Sequence, residues 1–115
     1  MQIDIQSNGF TLTEALREHT HRRLGFALAH CDEIIQRVTV RLSDINGPRG
    51  GADKRCHIQV AVVRQADVVI EDIQADLYVA IDRAADRAGR ALARQIERQR
   101  EPHGAAPEQP AALEE

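Results

Sequence analysis

Six of the fourteen arginines of this chain lie in one segment, DLYVAIDRAADRAGRALARQIERQR, which spans residues 76–100. If the segment is helical, with about 100° between successive residues, five of them fall on one side of the helix. We call these five residues the arginine ridge: Arg83, Arg87, Arg90, Arg94 and Arg98, spaced by 4, 3, 4 and 4 positions. The opposite side carries Tyr78, Ile81, Ala85, Ala88, Leu92 and Ile96. The pattern predicts a helix with one face on a core and a cationic face roughly 20 Å long turned to solvent.

Guanidinium groups in such a row suit phosphate oxygens, because each planar group can donate two parallel hydrogen bonds. Residues 83–100 have a net charge of +4, from six arginines and two carboxylates. Asp86 is placed to pair with Arg90, and Asp82 with neighbours of Arg83, but such pairs cannot neutralise the row. The ridge therefore predicts binding to RNA or another polyanion. A charged face that only keeps the helix soluble is the alternative, and the residues leave it open.

A second basic group lies in and just after the glycine-rich stretch INGPRGGADK, as Arg49, Lys54 and Arg55. These residues could contact RNA as a mobile basic finger, and a plain hairpin connection is the alternative. GPRGG lacks the G-x-x-x-x-G-K-[ST] pattern that cradles phosphates. Nucleotide hydrolysis is therefore not predicted.

Metal and nucleophile chemistry has little support in the residue types. His30–Cys31 and Cys56–His57 set zinc ligands side by side, but neither pair has C-x-x-C spacing. Both cysteines are better explained as buried thiols in a reducing compartment. No Ser/His/Asp or Cys/His arrangement and no spaced carboxylate pair indicates catalysis. We therefore expect no metal, no cofactor, no small-molecule substrate and no enzymatic activity, and a small enzyme using the His/Cys pairs is the weakest alternative.

The first strand and first helix follow from alternation and capping. Ile3 and Ile5 alternate with polar neighbours, which predicts a strand at the start of the chain. Thr11 and Glu14 have the spacing of a capping box. A helix is therefore predicted to begin there and to run to about residue 30, with a broad apolar face.

Three more strands and a long helix complete the predicted elements. The strands are expected at residues 35–44, 55–64 and 67–75, the last with an ambiguous register at Val69 and Ile73. Asp76 is the expected N-cap of the second helix, and Tyr78 is expected in the core. The order predicts an α+β fold, β-α-β-β-β-α, with a four-stranded sheet and two helices packed on one face.

Composition bounds the class of protein. The chain has 115 residues and a net charge of −3, with 43% hydrophobic, 29% charged and 3% aromatic residues. Residues 1–100 are predicted to form one binding domain of charge +1, and residues 101–115 a disordered, acidic tail rich in proline and alanine. No signal peptide and no apolar run of about 18 residues is apparent. A cytoplasmic protein without membrane association is therefore predicted.

Three stretches resemble one protein family. DLYVAIDRAADRAGRALARQ is similar to the D-M-Y-x-A-I-D segment that opens the second helix of ribosome hibernation-promoting factors and ribosome-associated translation inhibitors. LTEALRE resembles the start of their first helix, and MQIDIQSNGF resembles their first strand. The β-α-β-β-β-α order is also that of the family. The resemblance covers residues 1 to about 100 and indicates the short form, which lacks the C-terminal dimerisation domain of long members.

The resemblance implies a monomeric cytoplasmic protein that binds the small ribosomal subunit and its 16S rRNA. It would block the channel for messenger and transfer RNA, inhibit translation, and preserve idle ribosomes in stationary phase or stress. Basic positions of the family match Arg87, Arg90 and Arg94 in the second helix and Arg17 and Arg23 in the first. The alternative is a non-ribosomal module of the same fold that binds double-stranded RNA or a protein. The candidate RNA-binding residues are Arg17, Arg22, Arg23, Arg49, Lys54, Arg55, Arg83, Arg87, Arg90, Arg94 and Arg98.

Overall fold

Strands and helices follow one another in the order that the sequence predicts. The computed structural model describes residues 1–45 and 53–100. Its elements are β1 (Gln2–Asn8), α1 (Glu14–Ala27), a 3-10 segment (Ala29–Ile34), β2 (Ile35–Asp44), β3 (Lys54–Val62), β4 (Val68–Gln74) and α2 (Leu77–Arg100). The predicted α+β class is therefore confirmed. The 3-10 segment is not predicted by the sequence, because the apolar pattern fits one helix to about residue 30.

The four strands form one mixed sheet in the order β1-β2-β3-β4. β1 pairs with β2 in parallel, because α1 carries the chain back across the sheet between them. β2 with β3, and β3 with β4, pair antiparallel. Alternation gives the sheet two different faces: Val38, Val40 and Leu42 are buried, whereas Arg37 and Arg41 at alternate positions are exposed. One face is thus covered by the helices and the other is left open.

The core lies between the covered face of the sheet and the two helices. α1 contributes buried leucines and α2 contributes a stripe rich in alanine, which lets its backbone lie close to β3 and β4. Burying this apolar surface is the main favourable term in the folding of the domain. The core residues of the helices include Leu16, Leu24, Leu28, Ala80, Ile81, Ala84, Ala85, Ala88 and Leu92.

The helices begin at side-chain caps. The Leu16 amide donates to Thr13 Oγ1 over 3.2 Å, so Thr13 is the N-cap of α1 and the prediction of Thr11 is wrong. At α2, the Tyr78 amide donates to Asp76 Oδ1 over 2.8 Å, which confirms the predicted cap. In α1 the cap is Thr13, and not Thr11, because the helix begins at Glu14 and the N-cap directly precedes it.

Tyr78 is not a core residue, contrary to the prediction. Its side chain is 39% exposed and meets the ring of His19 edge-on, with the ring centroids 4.9 Å apart. The reason is its place on the helical wheel, at the border of the apolar stripe on the side that faces α1.

The register of β4 places a carboxylate on the side of the sheet that the helices cover. Val69 and Ile73 are exposed on the open face, while Val68 is buried on the helix side. Asp72, on that same side, is only 9% exposed and accepts a hydrogen bond of 2.6 Å from Gln74 Nε2. The sequence left the register ambiguous because two apolar residues point outward and an acidic one points inward.

The two helices approach each other most closely at Gly89. A Cβ atom at this position would lie 2.7 Å from the carbonyl oxygen of Ala27, inside van der Waals contact. Glycine is therefore required for the helices to meet backbone to backbone at this point.

Candidate nucleic-acid interface

The arginine ridge is exposed along its whole length. All five of its side chains are solvent-accessible, while Ile81, Ala88 and Leu92 on the opposite side of α2 are fully buried. The predicted division of this helix into an apolar and a cationic face is therefore present in the structure. At 1.5 Å per residue the ridge is about 22 Å long.

Two of the three acidic residues of α2, Asp82 and Asp86, face α1 and not the ridge. His19 Nε2 lies 2.7 Å from Asp82 Oδ1, and Arg23 Nε lies 3.2 Å from the same oxygen. Arg23 Nη2 donates to Asp86 Oδ1 over 3.0 Å. The expected pairing of Asp86 with Arg90, and of Asp82 with neighbours of Arg83, is wrong. Contact between the helices has drawn both carboxylates to the partner helix.

This arrangement leaves most of the ridge without carboxylate partners. Within the described residues, four of its members form no ion pair: Arg83, Arg90, Arg94 and Arg98. Since these guanidinium groups are exposed and unpaired, their donors are available to an anion without first breaking an internal contact.

Arg87 differs from its neighbours in the ridge. Its Nη1 donates to the carbonyl oxygen of Glu71 over 2.8 Å and to Asp72 Oδ2 over 3.1 Å. The second contact compensates a carboxylate that is almost removed from solvent. Arg87 therefore ties α2 to β4 in addition to extending the ridge.

The three candidate arginines of α1 differ in exposure. Arg22 is exposed one turn before Phe26 and lines the same surface hollow as Arg17, with Glu14, Glu18 and His21. Arg17 is also exposed, about 140° around the helix from Arg22. Arg23 is half-buried in the network with the α2 carboxylates. Of the three, Arg23 is the one that contacts α2 among the described residues, through Asp82 and Asp86.

The predicted basic finger is wrong for two of its three residues. Lys54 and Arg55 open strand β3 and are not in a loop, and Arg49 lies outside the described residues. Lys54 Nζ contacts Asp53 Oδ1 at 2.9 Å and Asp44 Oδ2 at 3.4 Å; the hydrogen bond to Asp53 raises its pKa, partly opposed by burial. The assignment of Arg49, Lys54 and Arg55 to RNA binding stays a prediction.

Arg55 is likewise paired inside the chain. Its Nη1 lies 3.3 Å from Glu71 Oε2, across the open face of the sheet. Arg37 and Arg41 share that face, on the side of the sheet away from the helices. None of these cations belongs to the same surface as the ridge.

Sequence reasoning assigned no binding role to Phe26. Its side chain is 78% exposed at the C-terminal end of α1 and lines a groove with Arg90 of α2. The signal was available, because Phe26 falls outside the apolar stripe that Leu16, Leu24 and Leu28 define. Its groove could not be found from the sequence, since α2 forms the other wall.

The cysteines and histidines do not converge on a metal site in the described residues. Cys31 and Cys56 are both buried and form no disulfide. Burial raises the pKa of the Cys56 thiol to about 12, and Asp72 beside it adds to the rise. Cys56 is therefore a neutral thiol in the core at physiological pH.

Neither α1 nor α2, nor the 3-10 segment, is both long enough and apolar enough to cross a bilayer as a helix; this holds for residues 1–45 and 53–100.

Comparisons with known proteins agree with this fold. The N-terminal domain of Protein Y from Thermus thermophilus is 29% identical, with a TM-score of 0.68, over 82% of this chain and 98% of that one. A ribosomal subunit interface protein from Coxiella burnetii is 20% identical, with a TM-score of 0.69, over 84% and 99% of the two chains, which shows a shared fold. No curated protein matches the sequence significantly.

The family model for sigma 54 modulation protein / S30EA ribosomal protein matches residues 3–100. The match spans both helices and all four strands, and it confirms the resemblance carried by the two helix motifs. The chain belongs to the sigma 54 modulation protein / S30EA ribosomal protein family.

Proposed function

We propose that this protein binds the small ribosomal subunit through the arginine ridge and blocks the channel for messenger and transfer RNA. In doing so it inhibits translation and preserves idle ribosomes in stationary phase or stress. Membership of a ribosomal protein family supports a ribosomal partner. One relative is named as a ribosomal subunit interface protein, which supports it further. The proposed site of action is the cytoplasm, where ribosomes work.

One observation carries the proposal: Asp82 and Asp86 are held by α1, so the exposed side of α2 presents guanidinium groups with little opposing charge. RNA offers the complementary surface, a dense array of phosphates. Each phosphate that an arginine neutralises releases counterions, which makes binding favourable at low salt and weak at high salt. Shape and charge, not base sequence, would position the protein.

The candidate residues differ in how much we expect each to contribute to binding. Arg83, Arg90, Arg94 and Arg98 form the centre of the proposed site. Arg22 is an exposed candidate on α1, and Arg87 contributes while holding β4. Arg17, Arg23, Arg49, Lys54 and Arg55 are peripheral candidates, of which three are engaged with carboxylates of the chain itself.

The proposal is tested with Arg90→Glu/Arg94→Glu, a double variant that reverses two unpaired charges of the ridge. We expect at least a tenfold loss of affinity for purified small ribosomal subunits at low salt, because two phosphate contacts become repulsions. The plot of log K against log salt concentration should flatten by about two phosphate contacts. Co-sedimentation over a protein concentration series measures both.

The control is Arg37→Glu/Arg41→Glu, which makes the same change in net charge on the open face of the sheet and also removes the 3.5 Å contact of Arg37 Nε with Asp4 Oδ2. We expect it to bind nearly as well as the unaltered protein. Equal loss in both variants would show attraction by bulk charge and would refute the ridge as the binding surface. Unaltered protein that fails to bind small subunits, or binds a plain RNA duplex equally well, would refute the ribosomal assignment.

A further inference from the structure

An exposed aromatic ring stands beside the cationic face. Phe26 is 78% exposed, the highest value among the large apolar side chains of residues 1–45 and 53–100. A phenyl ring left in water forgoes most of the free energy that burial would give it. It occupies the last turn of α1, one turn after Arg22 and one turn before His30. Its position does not contribute to the core.

The ring forms one wall of a solvent-open groove of about 280 Å³ between α1 and α2. The residues that line the groove differ in burial. Gly89 is buried, Ala27 is half-buried, and Phe26, His30, Arg90 and Ala93 are exposed. The floor is therefore made of small residues where the helix backbones touch. A flat aromatic wall and a planar guanidinium wall stand above that floor.

The charge of the groove selects its occupant. Asp86 also lines it, but that carboxylate is held by Arg23. Arg90 forms no ion pair with any described residue and belongs to the ridge. An occupant should therefore combine a flat, uncharged ring with an adjoining anion. A nucleobase attached to its phosphate has that chemistry, and both phenyl and guanidinium planes stack on bases.

We propose that Phe26 and Arg90 hold one unstacked base of ribosomal RNA while the ridge binds the neighbouring phosphates. This inference rests on the proposed function and adds a contact that phosphate binding does not need. Because stacking depends on the ring and not on counterion release, it should contribute at high salt as well as low.

The test compares Phe26→Ala, Phe26→Leu and Phe26→Trp with the unaltered protein, on purified small ribosomal subunits at several salt concentrations. We expect Phe26→Ala to bind about tenfold more weakly with an unchanged salt slope, because stacking is lost and the phosphate contacts remain. Phe26→Leu should be equally weak, since it keeps an apolar group without a π face. Phe26→Trp should bind at least as well as the unaltered protein.

A base-specific chemical probe of the ribosomal RNA locates the contact. One unpaired base should change reactivity with the unaltered protein and not with Phe26→Ala. All variants should melt at the same temperature, because the side chain is outside the core. Wild-type affinity in Phe26→Ala or Phe26→Leu would overturn the inference. A weakened variant without a difference in base reactivity would also overturn it, in favour of a ribosomal protein as the partner of Phe26. Unaltered protein that does not bind would overturn the proposed function as well.

Discussion

At the scale of single residues, members of the ridge differ in what they do for the fold. Arg90 and Arg94 contact no carboxylate in the described residues, so nothing in the fold depends on their charge. The fold does depend on the charge of Arg87, because its guanidinium compensates the inward carboxylate of Asp72. Equal spacing in the sequence therefore conceals a difference in role. The sequence predicted the row, but not which member also stabilises the molecule.

Replacement of Arg87 by alanine should lower the free energy of unfolding by about 1–2 kcal/mol, since it leaves Asp72 with fewer hydrogen bonds at a site nearly closed to water. Arg90→Ala should change it by less than about 0.5 kcal/mol, as expected for an exposed, unpaired side chain. Urea unfolding at neutral pH measures both. If the double variant Arg87→Ala/Asp72→Asn is no more stable than Arg87→Ala alone, the proposed compensation is wrong.

At the scale of elements, local sequence patterns predicted the features that neighbouring residues determine, such as strand bounds and helix faces. The alternation of β2 gave its bounds, residues 35–44, as they are in the structure. Contacts across long sequence separations were beyond reach: His19 and Asp82, and Arg23 and Asp86, are each 63 positions apart. The ridge was therefore predictable, whereas the reason that it is unpaired was not.

The helix pair should be sensitive to a single methyl group at Gly89. Gly89→Ala should destabilise the fold by about 1–3 kcal/mol, because the new Cβ would press on the Ala27 carbonyl and force the helices apart. Gly25→Ala is the matched control on α1, where a Cβ meets nothing within 4 Å, and it should stabilise by about 0.5–1 kcal/mol. Thermal unfolding of the two variants checks the contrast, and equal shifts of the same sign would contradict it.

At the scale of the whole molecule, the distribution of charge matters more than its sum. The chain has a net charge of −3, yet its residues 1–100 sum to +1 because four glutamates lie in residues 101–115. Field lines from the ridge act on a polyanion at distances set by the Debye length, about 8–10 Å at physiological salt. An acidic protein can therefore still present a surface that attracts RNA.

Removal of residues 101–115 should strengthen binding to small ribosomal subunits at low salt, because four negative charges that repel RNA are lost. The gain should disappear as salt approaches 0.5 M, where screening shortens the reach of those charges. Parallel co-sedimentation of full-length and truncated protein measures it. A gain that persists at high salt would point to a direct contact of the segment and against an electrostatic effect.

The close approach at Gly89 has a kinetic consequence. Backbones in contact hold Phe26 of one helix at a fixed offset from Arg90 of the other. A surface that is preorganised in this way loses little conformational entropy when it docks. Encounter should therefore be governed by diffusion and electrostatic steering, without a slow rearrangement after first contact.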